Sequence, residues 1–435
     1  MKRFAAALLL STALISVPVQ AQSLSDIERR IVNEVDAEAT QAIDLLRRAV
    51  NINSGSMNFD GVREVGVLFG DEFRALGFET EWVDGTPWDR AGHLVARRDG
   101  TGPRLLLIGH LDTVFEPSSP FQSFTREGDR AQGPGVVDMK GGDVVIIHAL
   151  KALATAGELE DMNITVVMTG DEERSGRPLD LARSALIRAA AEADIVLAFE
   201  NGDSDPTTAV VARRGSTGWR LDVTGTPAHS SQLFQEGVGA GAVYEASRIL
   251  SGFYERLAGE PLLTFNPGVM LAGTDVAYDP FTAGGSAFGK SNVVAESAVV
   301  TGDLRTITLE QLEKARATMR FVVLESLPRT SATITFDDGY PPLAPTDGNR
   351  RLLAMFSQVS EDLGYGVVTA VDPRNAGAAD VSFTAGLVDV AIDGLGPGGG
   401  NDHTLDEWID LPTLAIQTKR AAVLMHRLAT RPGAD

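Results

Sequence analysis

The 435-residue chain contains no cysteine. Disulfides are therefore excluded, and so are thiolate ligands, which leaves His nitrogen and carboxylate oxygen to hold any metal. Basic residues are scarce: 38 Lys and Arg stand against 59 Asp and Glu, a formal charge of −21. A field of that sign argues against nucleic acid and anionic membrane surfaces as partners, while a local basic pocket can still receive an acidic substrate. Beyond the N-terminus, no segment approaches the roughly 20 apolar residues that span a bilayer. Internal repeats and low-complexity tracts are also missing. The Gly-rich stretch GLGPGGGND (394–402) is not followed by the helix start that a phosphate cradle requires, so a nucleotide site is rejected.

What is present begins with MKRFAAALLLSTALISVPVQAQ. Lys2 and Arg3 precede an apolar run from Phe4 to Val17, and Val19-Gln20-Ala21 offers small residues for cleavage. This reads as a signal peptide over 1–21, removed to leave 414 residues with a charge of −23 once Lys2 and Arg3 are gone. The expected location is periplasmic or secreted, with no membrane association after cleavage. A chain of this length predicts two domains.

Residues 22–45 read as a charged amphipathic surface helix. From residue 62, helical segments alternate with apolar strands such as RLLLIGH and NITVVMT. That rhythm predicts an α/β fold, a mainly parallel sheet with helices on both faces. Near residue 212 the texture changes to alternating, half-exposed strands (STGWRLDVT, AVVTGDLRT, ATITFDD) with two helices between them. A smaller α+β domain with a four-stranded antiparallel sheet and two helices is expected there. The domains are thus 22–212 with 340–435 for the α/β part, and 213–339 for the insert. The stretch 266–290 reads as a long loop.

Polar residues gather where apolar strands end. His110 and Asp112 close RLLLIGHLD; Asp138 sits in GPGVVDMKGG (133–142); Asp171, Glu172 and Glu173 follow NITVVMTG; Glu200 ends LAFE; His403 lies in GGGNDHTLDEW. Each has a bland explanation as a cap, turn or solvated residue. Together they converge on the carboxyl end of one sheet, the place where open α/β sheets bind ligands. Carboxylates brought together repel unless a cation neutralises them. Two His with several carboxylates suit Zn²⁺, with Mn²⁺ or Co²⁺ as substitutes, and the count suits two ions sharing a bridging carboxylate.

In this order and spacing, His110-Leu111-Asp112, GPGVVDMKGG, Asp171-Glu172-Glu173 and His403 resemble the dinuclear zinc aminoacylase/carboxypeptidase family. The resemblance covers the whole mature chain and is nearest to the exported bacterial glutamate carboxypeptidases. It implies two Zn²⁺ per chain, one on His110 and Glu200, one on Glu173 and His403, bridged by Asp138. Asp112 would orient His110, and Glu172 would act as general base toward a metal-bridging hydroxide. His229, in GTPAHSS, would stabilise the substrate oxyanion, in some members across a dimer. Asn292 and Arg305 would hold the substrate carboxylate, a task for which the planar Arg fork is apt. The peptide after Asp138 is commonly cis in this family.

The implied activity is that of a carboxypeptidase removing C-terminal residues, with a preference for Glu and Asp. An N-acyl-amino-acid amidohydrolase is the alternative, and a periplasmic solute-binding protein a more distant one. Partners are a small peptide or N-acyl amino acid substrate and a second copy of the chain, paired through the insert.

Overall fold

The structure, a computed structural model, describes residues 24–280 and 282–430; the expected signal segment lies outside them. A six-stranded sheet forms the centre of the larger domain. Its order across the sheet is Glu79–Asp84, Gly92–Arg98, Asn163–Thr169, Arg104–His110, Ile195–Ala198 and Ala391–Ile392. The last four are mutually parallel, and Gly92–Arg98 runs antiparallel to both of its neighbours.

The central strand shows why the sheet is covered on both faces. Alternate side chains of a strand point oppositely. Leu105 and Leu107 enter one apolar cluster, while Leu106 and Ile108 enter another. The first cluster is walled by the helices Lys140–Ala156 and Leu411–Thr430, which pack on each other. Gly157, with φ of 79°, ends the first of these helices in the left-handed conformation that glycine adopts without Cβ strain.

Two features differ from the sequence reading. The N-terminal segment is two helices, Asp26–Ala37 and Ala39–Val50, and its charges are not all solvated. Glu28 is buried, 2.6 Å from Arg427, because this helix docks on the C-terminal one. Residues 266–290 are not a loop either. Thr264–Gly273 is a strand, kinked by a bulge between Pro267 and Val269, and a hairpin of Asp275–Asp279 with Gly284–Phe288 follows. Proline and glycine mark the bulge here rather than a break in the sheet.

The smaller domain is an antiparallel sheet ordered Thr264–Gly273, Ser297–Arg305, Thr217–Thr224, Ser331–Asp338. Helices Ala242–Leu257 and Leu309–Leu324 pack against the face carrying Trp219, Leu221, Val223, Ala298 and Val300. Two connecting strands join it to the larger domain, and they pair through Arg213 and Leu343. No helix among the described residues is long and apolar enough to cross a membrane.

Candidate metal centre

Asp138 lies at the focus of the site. His110 Nε2 is 3.2 Å from its Oδ1, and His403 Nε2 is 3.1 Å from its Oδ2. A second carboxylate faces the same nitrogen of each imidazole: Glu200 is 3.4 Å from His110 Nε2, and Glu173 is 3.0 Å from His403 Nε2. Ligand atoms of Glu172 lie within 4.8 Å of those of His110 and Glu200, and Asp402 joins Asp138 and His403 in the same way. The Asp138–Met139 peptide is cis.

Held by protons alone, this cluster is electrostatically unsettled. Burial and the nearby Asp138 push the Glu173 and Glu200 carboxyls up to about 7. Hydrogen bonds to Asp138 and Glu173 push His403 up to about 11. Burial opposes charge on His110, but Glu200, Asp112 and Asp138 outweigh it and hold the imidazole well above its usual range. Burial, then Asp380 and Glu200, raise Glu172 in the same way. Acids that cannot all ionise, interleaved with imidazoles facing them at ligand distance, are the donor set of a divalent cation pair. The residues fit that group.

The segments that present His110, Asp138, Glu173 and Glu200 are each held by a further buried carboxylate. Asp112 faces His110 Nδ1 twice, with its carbonyl oxygen at 3.0 Å and its carboxylate at 3.4 Å. Its carboxylate also accepts the main-chain N–H groups of Glu172 (3.0 Å) and Glu173 (3.1 Å), and the Ser56 hydroxyl (2.6 Å). Glu407 does the same for the bridging loop, accepting from Gly135, Val137 and Asp138 at 3.2, 3.0 and 3.2 Å. Asp393 accepts the Glu200 N–H at 3.3 Å and is gripped by Arg213 at 2.7 Å. Such partners orient ligands and tune what they bind.

Glu407, Asp393 and Asp402 escaped the sequence reading. Asp402 and Glu407 left a local trace, on either side of His403 in GGGNDHTLDEW, but nothing in the sequence says that Glu407 is buried. Asp380 is also buried: it bonds Arg183 (2.7 Å), which bonds Asp171 (2.6 Å) beneath the Glu172 turn. His403 and Asn401 both adopt positive φ, 60° and 59°, a conformation that costs energy away from glycine and is concentrated at functional sites.

The insert residues are arranged differently. His229 and Asn292 are exposed neighbours at one end of the insert sheet, where Ser230 N–H donates to the Asn292 carbonyl at 2.9 Å and His229 bridges Val293. His229 Nδ1 faces the Ser231 hydroxyl at 2.8 Å. Arg305 is at the opposite end of strand Ser297–Arg305, next to the connecting strands, with its Nε on Asp303 at 2.8 Å. A strand of that length separates the two groups by roughly 26 Å. One chain therefore does not bring Arg305 together with Asn292 and His229.

The comparisons agree with this architecture. Carboxypeptidase G2 of Pseudomonas sp. (strain RS-16) is 26% identical over 434 residues, covering 98% of each chain. A succinyl-diaminopimelate desuccinylase of Gluconobacter oxydans (strain 621H) is 26% identical over 370 residues, 81% of this chain and 89% of that one. The fold matches the aminopeptidase PepT structure from Bacillus cereus ATCC 10987 with a TM-score of 0.70 at 18% identity, over 93% of this chain and 99% of that one. Residues 106–427 match the peptidase family M20/M25/M40. The chain belongs to that family, and is a metal-dependent enzyme of its exopeptidase and amidohydrolase kind.

Proposed function

We propose that the protein is an exported dinuclear zinc carboxypeptidase that hydrolyses the amide bond before a C-terminal residue with a free carboxylate, preferring Glu and Asp. The observation that carries the reading is that His110 and His403 each face one oxygen of Asp138, with Glu200 and Glu173 against the same imidazole nitrogens. His110 and Glu200 with one Asp138 oxygen would hold the first cation; His403 and Glu173 with the other would hold the second. Zinc suits these donors, with manganese or cobalt as substitutes. When bound, the pair supplies Lewis-acid activation of water and polarisation of the scissile carbonyl.

Glu172 takes the proton of the attacking water and delivers it to the amine as the C–N bond breaks. Its main chain is tied on both sides, the N–H to Asp112 and the carbonyl to the Tyr340 hydroxyl, so the carboxylate is aimed while remaining beside the cluster. Arg305 grips the substrate's terminal carboxylate. His229 and Asn292, at the distal end of the insert, serve the site of a second copy, where His229 donates to the carbonyl oxygen as charge develops there. The working unit is then a homodimer paired through the insert.

The likeness to a desuccinylase supports a second reading, an N-acyl-amino-acid amidohydrolase with the same groups and a different acyl pocket. Mass spectrometry of products from dipeptides and from N-acyl amino acids separates the two. The roles of Glu172 and His229 are tested together by mixing. Glu172→Gln and His229→Ala should each retain metal and lose amide hydrolysis, by about 10²–10⁴-fold for the base. Unfolded and refolded together, they should regain activity, because a mixed dimer holds one intact site. Activity left in Glu172→Gln alone removes the base, and a mixture as inactive as its parts removes the crossed His229.

A further inference from the structure

Tyr340 belongs to the strand that returns the chain from the insert to the larger domain, and no sequence motif draws attention to it. Its carbonyl accepts the Ser216 N–H at 2.8 Å, so its main chain is tied to the outgoing connection. Its side chain leaves that strand and enters the catalytic turn. The hydroxyl donates to the main-chain carbonyl of Glu172 at 3.0 Å and accepts from Arg183 Nη2 at 2.8 Å, with the Ser175 hydroxyl 3.0 Å away. Arg183 is fully buried and spreads over Asp171, Asp380 and the Asp171 carbonyl at 2.6, 2.7 and 3.1 Å. The ring stacks edge-on against Phe383, centroids 5.0 Å apart.

We infer that Tyr340 is a positioning residue for Glu172. A phenol carries one proton; with the guanidinium and the Ser175 hydroxyl both donating to the phenol oxygen, that proton goes to the Glu172 carbonyl. Donation by the buried cation also polarises the O–H and strengthens the bond it makes. With Asp112 holding the N–H of the same residue, the Glu172 main chain is fixed from two directions, one of them anchored on the connection to the insert. The outgoing connection reaches the cluster independently, since Arg213 grips Asp393 and Asp393 accepts the Glu200 N–H. Both strands that carry the insert are thus bonded into turns that present cluster residues. The substrate-facing insert and the proton-transferring carboxylate share one frame.

This inference rests on Glu172 being the general base, and its test separates the two. Tyr340→Phe changes almost no volume and removes only the hydroxyl. Measured on protein of known metal content and melting temperature, it should lower kcat by about 10- to 100-fold, the loss expected from a misplaced reacting group, and leave KM nearly unchanged. Phe383→Leu loosens the same ring packing with every hydrogen bond intact and should keep kcat within about threefold of the parent. Placing 4-aminophenylalanine at position 340 restores a donor and should recover most of the rate. The inference fails if Tyr340→Phe keeps its kcat while Glu172→Gln is inactive. It also fails if the loss tracks metal or folded fraction, if Phe383→Leu loses as much, or if the restored donor brings nothing back. An active Glu172→Gln instead sinks the reading of Glu172 itself.

Discussion

Glu407 is not among the residues gathered as candidate metal ligands, yet its replacement should weaken metal binding. Its two oxygens accept three main-chain N–H groups from the loop that presents Asp138: Oε1 takes Val137 and Asp138, Oε2 takes Gly135. In Glu407→Gln the amide oxygen can keep the first two bonds. The amide nitrogen then faces the Gly135 N–H, donor against donor. One hydrogen bond is lost and a buried donor is left unsatisfied, worth about 1–3 kcal/mol. Expressed through the bridging carboxylate, that is a roughly 10- to 100-fold loss of metal affinity, the scale usual for outer-shell partners. Competition against a chromophoric chelator measures it, and circular dichroism checks that the fold is kept. Both cations should be affected, because Asp138 faces both histidines. Unchanged affinity for both in a folded variant refutes the claim that Glu407 holds the bridge in place.

Arg305→Ala should raise KM by about 10- to 100-fold for substrates with a free α-carboxylate, the worth of a charge-assisted pair, and alter amidated analogues little; steady-state kinetics on matched pairs decides it, and equal effects remove the assignment. Glu28 should govern acid stability. Burial opposes its charge, but Arg427 and the Ser25 N–H hold its carboxyl down at about 2, below its ordinary 4.5. A depressed folded value means that this stabilisation is complete above pH 4.5 and is lost as pH falls toward 2. Glu28→Gln removes one of the two carboxylates that Arg427 pairs with, Asp362 staying 2.8 Å away, so scanning calorimetry should show a loss of about 1.5–3 kcal/mol at neutral pH and a flatter dependence below pH 4.5. A parallel pH curve for variant and parent would refute that account.

The motifs that place the site were legible because their signal is local. An apolar strand such as Arg104–His110 announces itself by composition, and its polar ending can be read at once. The α/β alternation and the insert's half-exposed strands were legible for the same reason. What holds the ligand turns was not. Glu407 reaches Asp138 across 269 residues, Asp393 reaches Glu200 across 193, and Tyr340 reaches Glu172 across 168. Nothing nearby in sequence marks an acid as buried, or a tyrosine as a donor to a distant carbonyl. The stretch 266–290 misled for a related reason: Pro267 and the glycines read as loop, whereas a bulge against Ser297–Arg305 absorbs Pro267 and Gly268, and Gly284 and Gly285 pair in the hairpin. Glu28 read as surface because its partner Arg427 lies at the other end of the chain.

Two divalent cations are expected to make the crowd of acids and imidazoles around Asp138 both stable and reactive. Elemental analysis of purified protein, paired with hydrolysis assays during chelation and refilling, tests it most directly. About two divalent ions per chain are expected, with activity vanishing on their removal and returning as zinc is restored. Full amide hydrolysis by exhaustively chelated protein, or the absence of bound metal from active protein, would contradict it.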